Sequence, residues 1–215
     1  MRNSFIRQPF RFEMTPALKQ FLVLCFIWWI CGGVLLIFVG NESLFQFIHS
    51  NHTVLFDYVF RFFTTLGEFV VIGSLLVLLL LFKFRNWHFF LAILLTQLFP
   101  FLLTQGLKFL YHDPRPYAVF RQQDWFHQVA GVHLHSNLSF PSGHTSGAFS
   151  FFTLMAILLV KRKAYWAVFF FFLALLVGYS RMYLGQHFFI DVYFGSLVGT
   201  LGCLLGLWAM GKVIK

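Results

Sequence analysis

Three short polar clusters stand at the ends of long apolar runs in this sequence. Among their residues are three cations, two histidines that belong to different clusters, a carboxylate and a glycine-containing turn. Three cations and the amides of a turn suit a phosphoryl group, whose negative charge is spread over its non-bridging oxygens. With two histidines beside such a group, the chemistry indicated is phosphoryl transfer. The clusters are residues 108–116, residues 141–144, and a set made of Ser180, Arg181, His187 and Asp191.

The second cluster, Pro141-Ser142-Gly143-His144, is a polar turn directly before an apolar run. The first backbone N–H groups of a helix are unpaired, and the helix dipole favours an anion in front of them. The turn therefore predicts a phosphate cradle in which Ser142 and Gly143 hold oxygens. A helix cap by Ser142, with no ligand at all, explains the same residues equally well.

The third cluster places His187 and Asp191 four residues apart, so on a helix both side chains lie on one face. A carboxylate that accepts the Nδ1–H of His187 fixes its tautomer and leaves Nε2 free to attack phosphorus. His144, from another cluster, could then protonate the departing oxygen and later activate water. A His and an Asp at this spacing are often only a surface pair. The signal is strong because all three clusters occur together and in order.

The spacing inside the clusters follows a fixed pattern. Six residues separate Lys108 from Arg115-Pro116, five separate Arg181 from His187, and the Pro-Ser-Gly-His turn stands between these pairs. This arrangement resembles the tripartite signature of the type-2 phosphatidic acid phosphatase family, within the acid phosphatase and vanadium haloperoxidase superfamily. The resemblance covers about residues 60–210, and no motif position departs from it.

The resemblance implies a role for each motif residue and requires neither a cofactor nor a metal. His187 is implied as the nucleophile that forms a phosphohistidine, Asp191 as the residue that orients it, and His144 as the general acid and base. The acidic residues near the motifs are in any case too few and too scattered for a divalent metal cage. The residues implied to bind the phosphoryl oxygens are Lys108, Arg115, Ser142, Gly143 and Arg181.

Composition places the chain in the membrane class. Hydrophobic residues make up 59% of it and charged residues 11%, it has 33 Phe, and its mean hydropathy is +0.77. A soluble globular protein is a poor alternative, because runs such as 69–82 and 164–177 leave no polar face. The formal charge of +9 is explained by Lys and Arg on the cytoplasmic side of a membrane, so no nucleic-acid partner is predicted. The three cysteines fall inside apolar runs and predict buried side chains.

We predict a single-domain, all-α integral membrane bundle of six transmembrane helices over residues 1–215. Eleven of the 16 Lys and Arg residues fall on the side that carries both termini. By the positive-inside rule both termini are cytoplasmic, so the three clusters share the outer face. Residues 1–17 form a basic cytoplasmic tail, and a partly amphipathic interfacial segment follows the first span. The predicted spans are residues 18–39, 66–82, 87–110, 145–160, 164–179 and 187–210.

These features predict a metal-independent lipid phosphate phosphatase of a bacterial inner membrane, with its active site facing the periplasm or cell exterior. Its partners are the bilayer and a lipid such as phosphatidylglycerol phosphate, phosphatidic acid, undecaprenyl pyrophosphate or lipid A 1-phosphate. A vanadate-dependent haloperoxidase-like enzyme and a non-catalytic lipid-phosphate transporter or binding protein are the alternatives. The sequence leaves open which residues select the substrate. The candidates are the loop 116–140, with its His-rich part 127–135, and Glu68, which is predicted to pair with Arg61. The oligomeric state is also left open.

Overall fold

The computed structural model describes residues 14–82, 87–158 and 165–213. These ranges form nine α-helices and contain no β-strand, so the all-α prediction is confirmed. The basic segments 1–13, 83–86 and 159–164 lie outside the described residues, and they hold most of the cations on which the predicted topology depends. The helices are α1 (Pro16–Phe38), α2 (Asn41–Ser50), α3 (Val54–Thr65), α4 (Phe69–Phe82), α5 (Trp87–Tyr111), α6 (Pro116–Phe120), α7 (Gly143–Leu158), α8 (Tyr165–Tyr183) and α9 (Phe189–Val213).

Four segments are each long and apolar enough to cross a membrane, and the bent pair of α3 and α4 raises the number to five. The two helices of that pair meet at an angle of 51°. The described part of α7 has 16 residues, slightly fewer than a bilayer core needs, and its predicted continuation to residue 160 lies outside the described ranges. Within the described residues, four or five candidate membrane-spanning helices are therefore found, and the number six stays a prediction. The four segments are Pro16–Phe38, Trp87–Phe120, Tyr165–Tyr183 and Phe189–Gly211.

Two helix boundaries differ from the prediction in ways that matter for the polar clusters. Helix α8 continues through Tyr183, so Ser180 and Arg181 lie on its last turn and not in a loop. Helix α9 begins at Phe189, so His187 precedes the helix. The carboxylate of Asp191 lies in the first turn of α9 and accepts the backbone N–H of Phe188 at 2.9 Å. A carboxylate in this position stabilises a helix start, which explains why α9 begins where it does.

Helix α9 is central to the bundle and packs closely against both α5 and α7. This approach is possible because α9 has glycine where the neighbouring backbones come nearest. A Cβ atom at Gly195 would lie 2.8 Å from the carbonyl oxygen of Ser142, and one at Gly202 would lie 2.9 Å from Pro100. Small residues at four-residue spacing are typical of packed membrane helices. The glycines that face α7 are Gly195 and Gly199, and those that face α5 are Gly202 and Gly206.

A buried histidine joins the loop after α6 to the helices beneath it. His49 of α2 donates from Nδ1 to the carbonyl oxygen of Tyr183 at 2.8 Å, and its Nε2 accepts the backbone N–H of His127 at 3.1 Å. These two partners define the neutral tautomer, and burial lowers the pKa of His49 to about 4. The side chain of His127 reaches Asp57 of α3, with Nε2 3.2 Å from Oδ2. The loop is therefore held to α2, α3 and the end of α8.

Candidate active site

His187 and Asp191 form a buried pair at the junction between α8 and α9. The Nδ1 atom of His187 lies 3.4 Å from Oδ2 of Asp191, and both side chains are 2% exposed. The predicted pairing is therefore present in the structure. The predicted cause, a four-residue spacing on one helix, is wrong, because His187 precedes α9. The turn before α9 brings the imidazole back over the carboxylate. The carboxylate can hold the proton of the ring on Nδ1, which leaves Nε2 as the unprotonated nitrogen.

Ser139 is a third member of this arrangement that the sequence analysis missed. Its hydroxyl donates to Oδ2 of Asp191 at 2.5 Å and lies 3.5 Å from Nδ1 of His187, and the side chain is fully buried. Its backbone N–H donates to the carbonyl oxygen of Asp113 at 2.9 Å, which fixes the loop at this point. Ser139 thus holds the same carboxylate oxygen that contacts His187 and the N–H of Phe188. We assign it as a positioning residue.

Lys108 and Arg115 approach the pair from the end of α5 and from the residue before α6. The ammonium group of Lys108 donates to the carbonyl oxygens of Leu138 and Ser139, the second at 3.4 Å. The guanidinium of Arg115 donates from Nε to the carbonyl oxygen of Asn137 at 3.0 Å and from Nη1 to Oε1 of Gln186 at 3.0 Å. Both cations therefore also fix the loop that carries Ser139.

Arg181 is the third cation and the most deeply placed of the three. It lies on the last turn of α8, is 7% exposed, and donates from Nη1 to the hydroxyl of Thr64 on α3 at 2.6 Å. Its Nε atom is buried and has no hydrogen-bond partner within the described part of the chain. A buried guanidinium N–H without an acceptor is costly. An anion that accepts from this atom would remove the cost, which fits the predicted phosphate.

The Pro-Ser-Gly-His turn is tied to α9 through its main chain. The backbone N–H of Ser142 donates to the carbonyl oxygen of Asp191 at 3.0 Å, so this amide is already paired. The Ser142 hydroxyl accepts from the hydroxyl of Thr145 at 2.9 Å and from its N–H at 3.4 Å, which is the capping arrangement considered above. The next amides, of Gly143 and His144, belong to the first turn of α7 and lack an acceptor within the helix. Oxygen binding by Ser142 and Gly143 stays a prediction.

His187 lies within the electrostatic reach of all three cations. Burial lowers the pKa of His187 well below its ordinary value, and the charges of Arg115, Arg181 and Lys108, then that of His144, lower it further. The imidazole is therefore neutral at neutral pH. The structure thus gathers the three clusters at one end of the bundle, where α5, α7, α8 and α9 meet. The residues brought together are Lys108, Arg115, Ser142, Gly143, His144, Arg181, His187 and Asp191.

The fold and this group of residues define a helical membrane protein of a known family of phosphatases. Residues 85–215 match the PAP2 superfamily, and the chain belongs to that superfamily, as the sequence analysis predicted. The chain is 31% identical to undecaprenyl-diphosphatase BcrC of Bacillus subtilis (strain 168) over 164 residues, which are 74% of this chain and 77% of that relative.

Two solved structures share the fold, each with a TM-score of 0.64. One is LpxE from Aquifex aeolicus, which is 29% identical; the alignment covers 78% of this chain and 94% of that one. The other is a transmembrane PAP2 type phosphatidylglycerolphosphate phosphatase from Bacillus subtilis, which is 26% identical, with 92% of this chain and 98% of that one covered. The likeness therefore extends over most of each molecule.

Proposed function

We propose that the protein is a lipid phosphate phosphatase that works through a phosphohistidine formed on His187. The observation that carries this proposal is the buried pair of His187 and Asp191 surrounded by three cations. The printed names of its relatives support a lipid substrate, since one acts on undecaprenyl diphosphate and another on phosphatidylglycerolphosphate. The substrate class is a phosphomonoester or a diphosphate on an apolar anchor.

In the first step, the Nε2 lone pair of His187 attacks phosphorus and the bond from phosphorus to the leaving oxygen breaks. Asp191, held by Ser139, keeps the Nδ1 proton in place and stabilises the positive charge that develops on the ring. Lys108, Arg115 and Arg181 neutralise the non-bridging oxygens as the phosphoryl group moves from the lipid to the imidazole. The product of this step is a phosphohistidine and a dephosphorylated lipid.

His144 supplies the proton transfers that accompany both steps. It donates a proton to the leaving oxygen in the first step and accepts one from water in the second. The water oxygen then attacks phosphorus, the N–P bond breaks, and inorganic phosphate leaves with His187 restored. His144 lies on the first turn of α7, on the same side of the bundle as Arg181. Burial and the charges of Arg181, Arg115 and Lys108 lower its pKa, and the negative charge of a bound phosphoryl group would offset those cations so that the ring can carry the proton it donates.

The membrane setting fits a substrate whose phosphate sits at the surface while its chain stays in the bilayer. The polar residues gather at one end of apolar helices, at the depth of a lipid head group. We infer that this end faces the periplasm or the exterior of a bacterial inner membrane, because most Lys and Arg residues belong to the other side. Both termini are then cytoplasmic.

The proposed chemistry uses side-chain cations where other phosphatases use a divalent metal. The three cations surround the pair, and the carboxylate of Asp191 is occupied by Ser139 and by the start of α9. Lys and Arg neutralise the negative charge of the phosphoryl oxygens, which a metal ion would otherwise neutralise. The protein is therefore expected to need neither a metal nor a cofactor.

The function is tested by measuring phosphate release in detergent from the four lipids named above, with and without EDTA. We expect release from at least one lipid, unchanged by EDTA and inhibited by vanadate. Loss of activity in EDTA that a divalent metal restores would contradict the mechanism. Halide oxidation with vanadate and peroxide would favour a haloperoxidase-like enzyme, whereas lipid binding without phosphate release would favour a transporter or binding protein.

We expect the acid limb of the pH–rate profile to lie below pH 6.5, the ordinary pKa of a histidine side chain. Burial and the nearby cations lower the pKa of His187, so its attacking neutral form persists as the pH falls through 6.5. Arg115 is the nearby charge with the largest effect, so Arg115→Gln should move this limb towards higher pH. The measurement is kcat/KM across acid and neutral pH, corrected for ionisation of the substrate. A limb that stays in place in the Arg115 variant would contradict this assignment.

A further inference from the structure

A polar cleft of about 320 Å³ opens beside the active site. Its walls come from the end of α3, the turn before α4, the loop residues 131–135 and the end of α8. One of its residues, Arg181, also belongs to the active site, so the two spaces share a wall. The charged and polar side chains that line the cleft are Arg61, Thr64, Thr65, Glu68, Arg181 and Gln186, together with His133 and His135.

Arg61 is the cation that belongs to the cleft alone. A Cβ atom at Gly131 would lie 3.3 Å from Nη2 of Arg61, so the guanidinium lies directly against the loop at this glycine. Gly131 has a φ of +76°, a conformation that glycine adopts without strain. The predicted ion pair of Arg61 with Glu68 does not form, and no ion pair of Arg61 is found within the described ranges. Its positive charge is thus available to a ligand.

The net charge of the cleft favours an anion. Arg61 and Arg181 oppose the single carboxylate of Glu68 on its walls. The pKa of His135 lies below its ordinary value because of burial and the nearby charges of Arg115, His133 and Arg181, so its ring is a neutral hydrogen-bonding group. The buried Nε of Arg181 still lacks an acceptor within the described part of the chain.

One wall of the cleft lies next to the residue proposed as the acid. Gly67, next to Glu68, packs against His144, since a Cβ atom at Gly67 would lie 3.0 Å from both the Cβ and the carbonyl oxygen of His144. Thr64, three residues earlier, accepts a hydrogen bond from Arg181 at 2.6 Å. In an in-line transfer the leaving group departs opposite the nucleophile, next to the acid that protonates it. The cleft is therefore placed to receive the leaving group.

The leaving group distinguishes two classes of lipid substrate. A lipid phosphomonoester releases a neutral alcohol, which gains nothing from cations. A lipid diphosphate releases a lipid monophosphate, whose negative oxygens do gain from them. We propose that this cleft is a subsite for the inner phosphate of a lipid diphosphate, held by Arg61 and Arg181, and that it makes the protein prefer lipid diphosphates. This inference rests on the proposed function.

The reaction on such a substrate balances without any further reactant. Nε2 of His187 bonds to the outer phosphorus, the bond from that phosphorus to the bridging oxygen breaks, and the bridging oxygen stays on the inner phosphate. His144 protonates that oxygen, and the lipid monophosphate leaves from the cleft. Water then releases inorganic phosphate from His187, and His144 takes its proton.

The test compares a polyprenyl diphosphate and a polyprenyl monophosphate with the same chain. In the purified full-length protein, Arg61→Gln is expected to lower the ratio of kcat/KM for diphosphate to that for monophosphate by about 10- to 100-fold, the value of a charge-assisted hydrogen bond. Arg61→Lys should keep part of the preference. The matched control is Arg121→Gln, because Arg121 is an exposed cation at the end of α6 and outside the cleft, and this change should leave the ratio within about twofold.

A second measurement uses inhibitors that the protein cannot cleave. Methylenediphosphonate should inhibit the wild-type protein more strongly than inorganic phosphate does, and Arg61→Gln should remove most of that difference. An unchanged substrate ratio in an active Arg61→Gln protein, or an equal loss on both substrates, would overturn the subsite. Absence of phosphate release by the wild-type protein from these two lipids and from all four lipids named earlier would instead overturn the proposed function on which the subsite rests.

Discussion

Replacement of His187 by alanine is expected to lower phosphate release by at least about 10⁴-fold, because no other group then attacks phosphorus. The loss should appear in kcat and kcat/KM together, since the imidazole acts only in the chemical step. The imidazole is buried and neutral, so removing it leaves the three cations in place and substrate binding largely intact. Binding of inorganic phosphate by the variant should therefore persist.

The direct measurement for this prediction is the covalent intermediate. Acid-labile phosphate should be trapped on the wild-type chain after rapid quenching with a labelled lipid, and the trapped label should vanish in His187→Ala. His52→Ala is a suitable control, because His52 is exposed and its ring stacks on His127, outside the active site. Elution as a monodisperse species in detergent would show that both variants fold. A labelled intermediate in the His187→Ala protein would exclude His187 as the nucleophile.

Asp191→Asn is expected to lower kcat by about 10²- to 10⁴-fold, as loss of the charge partner of a catalytic histidine does elsewhere. Asparagine has nearly the same shape and still accepts the N–H of Phe188, so the start of α9 should be preserved. The amide removes the negative charge that stabilises the imidazolium and holds the Nδ1 proton. Turnover should therefore fall with little change in KM or in thermal stability.

Ser139→Ala tests the same pair through its other partner. It removes the 2.5 Å hydrogen bond to Asp191 but leaves the carboxylate, so the loss in kcat should be smaller, about 10-fold. Ser136→Ala, at an exposed loop position nearby, serves as its control. The double variant of Asp191 and Ser139 should lose little more than the Asp191 variant alone, because both act on one imidazole. Additive losses in the double variant would show that Ser139 acts independently of the pair.

The apolar helices could be predicted from the sequence because their length is set by the membrane and their composition by its interior. The predicted spans 18–39 and 87–110 end within two residues of α1 and α5. The predicted site residues could be found because they stand at helix ends that a bundle must bring to the same side. For Lys108 and Arg181 this follows from topology alone, since one ends α5 and the other ends α8.

The positions of loop residues could not be predicted in the same way. Ser139 lies 52 residues from Asp191, in a loop that also holds Ser136 and has no periodicity. Its contact depends on the path of the whole loop, which Lys108 and Arg115 fix through carbonyl groups and not through any pattern of side chains. The approach of Arg61 to Gly131 depends on the same path. Contacts of this kind depend on the tertiary structure and cannot be predicted from the local sequence.

The hydrogen bond from the Ser142 amide to the Asp191 carbonyl joins the two catalytic turns through the main chain. Its length does not depend on which side chains the surrounding loop carries. Substitutions at loop residues other than Ser139, or at Arg61 in the cleft, can therefore change which lipid is accepted without moving the acid relative to the nucleophile. In this scaffold the backbone sets the geometry of the reaction, whereas the side chains around it determine the choice of substrate. The second can therefore change while the first stays the same.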